Sequence, residues 1–206
     1  MNIEILLKGK TMYDSNCYGV SGEDFAVVID PGVFDNSLID FFHKNAEKQK
    51  LILITHPHID HIMGADMLRE KTGVKIAASS NTAKGLIDTN INLSASYGNP
   101  FTVTTDIILE NDSTFYVGKQ KVKAIFTPGH TSGCTCFLFD NALFTGDTLF
   151  CGSIGRTDLP TASFADMEKS LKKLKSLDDN IVVYPGHDES TTIGREKIIN
   201  PYLREL

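Results

Sequence analysis

Apolar residues along this chain fall into short runs separated by Gly, Pro, Asn and Asp, the punctuation of strands rather than of long helices. Runs at 3–7, 16–20 and 25–29 read as successive strands, the third ended by Asp30-Pro31-Gly32. Leu38, Ile39, Phe42 and Ala46 then follow helical spacing, so 35–48 is expected to be an amphipathic helix. Leu51-Ile52-Leu53-Ile54 is a buried strand, 62–70 a helix stopped by Gly73, and 75–78 another strand. The segment 79–105 opens with a short helix at 82–87. It then turns Asn/Ser/Gly/Pro-rich with Tyr97 and Phe101 embedded, and reads equally well as a binding loop or a surface excursion.

The second half returns to strands at 107–110, 114–117, 122–127, 134–140 and 142–145, with Gly118 and Asn141 at hairpin turns. Phe164, Met167, Leu171, Leu174 and Leu177 recur every three or four residues and make one apolar helix face. Ser163 with Asp166 suggests a capping box at its start, and Lys172, Lys173 and Lys175 suit the C-terminal end of its dipole. A strand at 181–184 and a terminal helix at 195–204 complete the pattern. Strand, helix and strand in both halves imply an α/β chain of two sheets packed face to face with helices outside, forming one domain over 1–206.

Composition narrows the function without naming it. A hydrophobic fraction of 41% and a charged fraction of 22% are ordinary for a globular enzyme. The net charge of −6 gives no electrostatic reason to expect nucleic acid or an anionic membrane as partner. No apolar run is long enough to span a bilayer, and Met1-Asn2-Ile3-Glu4-Ile5 lacks the basic and apolar regions of a signal peptide, so a cytoplasmic protein is expected. Cys17, Cys134, Cys136 and Cys151 match no zinc-ribbon spacing and read as reduced thiols. Cys134 and Cys136 should share a buried strand face. Cys151, close to Asp147, is the thiol least expected to be inert.

The chemistry concentrates after the strand at 51–54. Within His56-Pro57-His58-Ile59-Asp60-His61, three imidazoles and a carboxylate fall in six residues, and Pro57 turns the chain out of the sheet. No packed core needs that density of polar groups, because each buried one requires a partner. A divalent metal supplies one, and imidazole with carboxylate suits zinc, iron or manganese. Two later segments, 122–130 and 180–187, echo each other: an apolar strand stops at Pro-Gly and delivers His130 or His187. Asp147 leaves its strand at Gly146 in the same way. A carboxylate can bridge two cations, so two metals with Asp147 between them are chemically reasonable. His43 lies beside its helix stripe and is assigned to solvent.

His56-x-His58-x-Asp60-His61 followed by His130, Asp147 and His187 in that order resembles the metallo-β-lactamase superfamily. Within it, Thr145 to Phe150 and Gly152 to Asp158 resemble the glyoxalase II (hydroxyacylglutathione hydrolase) group. Tyr184-Pro185-Gly186-His187 with Thr191 to Glu196 and Asn200-Pro201 is similar to its short, single-domain bacterial branch. The resemblance implies an αββα sandwich with its site along one edge. It also implies one metal on His56, His58 and His130, a second on Asp60, His61 and His187, and Asp147 bridging.

The activity so implied is hydrolysis of a small thioester, such as an S-2-hydroxyacylglutathione. Two divalent ions, zinc ahead of iron or manganese, would supply a hydroxide, with Asp60 orienting it as a general base would. Longer members carry a C-terminal helical domain that grips glutathione. This chain ends at Leu206, so that grip is expected to be missing, leaving Arg156, Tyr97 and Arg195 as candidates for holding an anionic substrate. The alternative within the superfamily is a mononuclear iron persulfide dioxygenase. Its nucleases are disfavoured by the absence of basic surface, and its flavodiiron type by His58 where that motif has Glu.

Overall fold

The computed structural model describes residues 1–9 and 14–206. The first half runs β1 (Asn2–Leu7), β2 (Cys17–Ser21), β3 (Phe25–Ile29), α1 (Asn36–Lys44), β4 (Gln49–Leu53), α2 (Ile59–Ile62), α3 (Ala65–Thr72), β5 (Ile76–Ser79), α4 (Ser80–Leu86) and β6 (Ile107–Leu109). The second half runs β7 (Thr114–Val117), β8 (Gln120–Phe126), β9 (Thr135–Phe139), β10 (Ala142–Gly146), α5 (Phe164–Lys175), β11 (Val182–Pro185), β12 (Thr191–Thr192), α6 (Ile193–Ile199) and α7 (Pro201–Arg204).

These strands make two mixed six-stranded sheets, ordered β1-β2-β3-β4-β5-β6 and β12-β11-β10-β9-β8-β7. Three apolar layers hold them. Val27, Ile29, Leu51 and Leu53 of the first sheet meet Phe137, Phe139 and Phe144 of the second. Leu38, Phe41 and Phe42 of α1 and Leu68 of α3 cover the outer face of the first sheet. Met167, Leu171 and Leu174 of α5 with Leu203 of α7 cover that of the second. The chain is therefore a four-layered αββα sandwich, as expected.

Strand direction explains where the polar ends go. β3 and β4 pair in parallel, and so do β10 and β11, so the C-terminal ends within each pair lie side by side. β8 is antiparallel to β9, which is antiparallel to β10, so β8 runs the same way as β10. A main-chain bond from Thr135 N to Thr55 O, 3.0 Å, ties the two sheets together at that edge.

Helix limits depart from the pattern where backbone breaks intervene. α1 ends at Lys44, so Ala46 is exposed, and Phe41 fills the buried face instead. The helix expected over 62–70 is two pieces, α2 and α3, parted at Met63-Gly64, where a Cβ on Gly64 would meet Val33 O at 2.6 Å. The terminal helix is cut at Asn200, because Pro201 cannot continue the hydrogen-bond ladder and Asn200 caps α7. Ser163 does cap α5, accepting from Asp166 N at 3.2 Å. The box is not closed, since Ser163 N donates to Gly129 O and Asp166 pairs with Lys169. Phe164, at 50% exposure, stands off the apolar face. β12 was not apparent from the pattern. Among the described residues no helix is long and apolar enough to cross a membrane.

Candidate metal centre

The candidate ligands follow the C-terminal ends of strands, and for His56, His61 and His130 the ring nitrogen turned from the site is already engaged. Past β4, Thr55 Oγ1 lies 3.1 Å from His56 Nδ1, which leaves His56 Nε2 facing the site. Past β8, His130 Nδ1 lies 2.8 Å from Arg156 O, an acceptor only, so this nitrogen carries the proton and Nε2 is the free one. His130 Nε2 comes to 2.8 Å from His58 Nδ1. His56, His58 and His130 thus converge, with one ligand atom of each within 4.8 Å of the others, and all three are buried.

Asp60 and His61 sit in the single turn of α2, and His187 follows Pro185-Gly186 past β11. Their ligand atoms form a second convergent group. His187 Nε2 is 3.2 Å and His61 Nε2 3.6 Å from Asp60 Oδ2. Asp147, delivered by Gly146 in a left-handed conformation (φ 48°), reaches both groups. Its Oδ1 is 3.2 Å from His61 Nε2, and its Oδ2 is 3.5 Å from both His130 Nε2 and His187 Nε2.

Gly186 is required for space rather than for conformation. A Cβ there would sit 2.2 Å from Asp147 Oδ1, although its φ is not positive. The other Pro-Gly-His turn, at 128–130, differs in this respect. Gly129 does hold a positive φ, 154°, in the other copy.

Asp30 is a residue that motif reading passed over. It also lies near His56 and His61 as a possible third group. Its oxygens are, however, already occupied by Thr55 N at 2.8 Å, Thr55 Oγ1 at 2.6 Å and His61 Nδ1 at 2.9 Å. It therefore orients His61, presenting Nε2 to the site, instead of offering a ligand atom. The only signal in sequence was an Asp at a strand end, which Pro31-Gly32 explained as a turn.

The protonation preferences of the two groups differ. Burial, reinforced by neighbouring imidazoles, holds His56 well below its ordinary value and pushes His58 down to about 3. For His61, burial acts in the same sense, but the carboxylates of Asp60, Asp147 and Asp30 outweigh it and raise the pKa well above 6.5. His187 likewise is raised to about 9 by Asp147 and Asp60 against the effect of burial. Burial alone would raise the Asp60 and Asp147 pKa values, yet the adjacent imidazoles lower both.

His56 Nε2 and His58 Nε2 are buried without any hydrogen-bond partner, and His61 Nε2 and Asp147 Oδ1 have only ion-pair contacts, with each other at 3.2 Å. Orphaned atoms of this kind cost on the order of 1–3 kcal/mol each unless something coordinates them. Imidazole nitrogens and a carboxylate oxygen converging at one edge fit a divalent cation.

The family model of the metallo-beta-lactamase superfamily matches residues 11–187. The chain belongs to the metallo-beta-lactamase superfamily. Among curated relatives it is 33% identical, over 98% of both chains, to hydroxyacylglutathione hydrolase GloC of Haemophilus influenzae. Among solved structures it resembles BLEG-1 B3 metallo-beta-lactamase, with TM-score 0.87 and 30% identity over 98% of this chain and 99% of that one. It also resembles TTHA1623 in a di-iron-bound form, with TM-score 0.81 and 29% identity over 94% and 97%. This superfamily fold thus hosts more than one named chemistry among its relatives, so substrate choice has to be argued from the cleft.

That cleft, about 1310 Å³, opens over both groups. Tyr97 and Arg156 line it, and Leu93, Ser96 and Asn99 make the turn of the 79–105 segment one of its walls. Arg156 forks onto Asp158 at 2.7 and 2.8 Å, exposed on the cleft rim. Arg195 is not among the cleft-lining residues; its Nη1 lies 2.8 Å from the sulfur of half-buried Cys151. Lys8, Met63 and Phe150 line the cleft without having been singled out from sequence.

Proposed function

We propose that this chain is a two-metal hydrolase of small thioesters of the glyoxalase II kind. His56, His58 and His130 would hold one divalent cation and Asp60, His61 and His187 the other, with Asp147 contributing to both. The observation that carries this reading is the Asp147 carboxylate, within 3.5 Å of imidazole nitrogens from both groups. The likeness over nearly the whole chain to a hydroxyacylglutathione hydrolase supports the substrate class. Zinc suits the donor set, with iron and manganese as the other candidates.

When bound, such cations lower the pKa of water to about 7, so that hydroxide is available near neutral pH, and they polarise a carbonyl. The chain's own residues supply the rest. Asp60 stays ionised beside His61 and His187 and lines the cleft, so its carboxylate can orient the attacking oxygen and accept its proton. Asp30, Thr55 and the Arg156 carbonyl fix ring orientations, which keeps the donor geometry ready before substrate arrives. A thioester suits a cleft without a dedicated acid, because a thiol of pKa about 8.5 departs as thiolate. Arg156 and Tyr97 provide a cationic and an aromatic contact at one side for the thiol's tail. Arg195, which does not line the cleft, is not included.

The test is hydrolysis of S-lactoylglutathione by metal-loaded protein, followed anaerobically as free-thiol release. Zinc and manganese should support it as well as iron. A mononuclear iron persulfide dioxygenase is the second reading. It is favoured by the greater exposure of two second-group side chains, His187 at 19% and Asp60 at 17% against 4% for His130, while His61 of that group is fully buried. Oxygen consumption with glutathione persulfide, strictly iron-dependent and without thioester cleavage, would establish that reading instead. A β-lactam included in the same panel addresses the likeness to BLEG-1.

A further inference from the structure

The ligands of the second group are held from a segment that no motif marks. Asn16, buried between the end of β1 and the start of β2, engages its main-chain N–H and its whole side-chain amide. Its main-chain N donates to Gly186 O at 2.6 Å, and its Nδ2 donates to Pro185 O at 3.1 Å and to Asp188 O at 3.0 Å. Its Oδ1 accepts from Gly9 N at 3.1 Å. The chain on both sides of His187 is thereby fastened to one carboxamide. Next to it, Ser15 Oγ donates to Asp60 O at 2.6 Å. Two residues on, Tyr18 OH donates to the same Pro185 O at 2.7 Å.

The first group is braced from elsewhere. Thr55 and the Arg156 carbonyl hold its rings, while Ser170 of α5 donates to Pro128 O at 2.6 Å and Ser163 N to Gly129 O at 2.8 Å, fixing the turn before His130. Among the described residues, no hydrogen bond runs from 15–18 to His56, His58 or His130. Apart from Asp30, which contacts both Thr55 and His61, the two trios are supported by separate parts of the chain.

We propose that Ser15 and Asn16 are positioning residues for Asp60 and His187, and that they govern occupancy of the second metal position independently of the first. The proposal rests on the two-metal reading above. A carboxamide is suited to the task because it donates twice and accepts once from one rigid plane, which neither a carboxylate nor a hydroxyl can do. Ligand orientation set by such outer contacts typically changes metal affinity by about 10–100-fold when they are removed.

The experiment is a zinc titration of metal-free protein against a chromophoric chelator, repeated with cobalt(II) to read coordination from its visible spectrum. Asn16→Asp keeps the size and the acceptor but turns an anionic oxygen toward the carbonyls of Pro185 and Asp188. The wild type should take up two zinc equivalents. Asn16→Asp should weaken the second by about 10–100-fold and leave the first unchanged, and excess zinc should restore the lost kcat. Ser15→Ala should act in the same direction with smaller effect, and it decides the matter if Asn16→Asp does not fold. Equal weakening of both sites, or of neither, in a folded variant overturns the proposal. A wild type that saturates at one zinc overturns the two-metal reading instead.

Discussion

His61 Nδ1 lies 2.9 Å from Asp30 Oδ2, and both side chains are almost fully buried. Because Asp30 also accepts from Thr55 N and Thr55 Oγ1, one carboxylate orders a ligand of the second group and the residue that orders His56 of the first. Asp30→Ala would leave these donors without a partner in the interior. Removing one partner of a buried charged pair costs about 3–5 kcal/mol. Asp30→Ala should therefore lower the melting temperature and the affinity for both metals, whereas Asp30→Asn should retain the fold with weakened metal binding. Calorimetry with metal analysis of both variants checks this, and an unchanged Asp30→Ala protein would refute it.

Asp147 serves both groups, so its loss should exceed that of a ligand confined to one. Asp147→Ala is expected to lower kcat/KM more than His61→Ala or His187→Ala does, with both metal equivalents weakened. Near-normal turnover by Asp147→Ala would remove the bridging role.

Metal uptake should release protons unequally. A raised pKa means that the proton is held more tightly, so below about pH 9 it competes with a cation for His187, and the raised His61 acts in the same sense. The pKa of His58 is about 3 and that of His56 is depressed, so both are neutral at pH 7 and give up no proton. Affinity at the Asp60, His61 and His187 group should therefore rise with pH toward 9, while His56 and His58 add no proton release at the first group. Titration calorimetry in buffers of different ionisation enthalpy measures the protons released. Equal release at both steps would contradict this assignment.

Arg156 contributes its carbonyl to His130 whatever its side chain, so Arg156→Ala should spare the centre and report on substrate alone. The expected result is a KM for S-lactoylglutathione raised several-fold, on the order of the 10-fold that accompanies about 1.4 kcal/mol, with kcat little changed. A fall in kcat at constant KM would place the guanidinium in the chemistry rather than in binding.

Thiol labelling tests burial independently of activity. Burial pushes Cys134 up to about 12 and Cys136 up to about 11, and raises Cys17 as well, so none presents appreciable thiolate at pH 7.5. Native protein treated with iodoacetamide should be modified at Cys151 alone, read by peptide mass spectrometry, and at all four positions after denaturation. Labelling of Cys134 in the native state would show that the strand edge beside the site opens.

The amino-acid sequence by itself determined which stretches are buried, where they end, and which side chains are delivered at those ends. Apolar runs stopped by Thr-His-Pro, Pro-Gly or Gly-Asp encode strand termination locally, so all seven proposed ligands were legible from their neighbours. Helix limits were legible only where the breaker is unconditional, as at Gly73 with its φ of 70°. At Gly64 the break also answers to a close approach by Val33, a contact that no local pattern contains. What only the tertiary structure decided is how the polar groups pair. Asp30 and His61 are 31 residues apart, and Asn16 and Pro185 are 169 apart. A hydrogen bond has no periodicity along the chain, and a carboxamide or carboxylate at a strand end looks like an ordinary turn residue until folding brings its partner to about 3 Å.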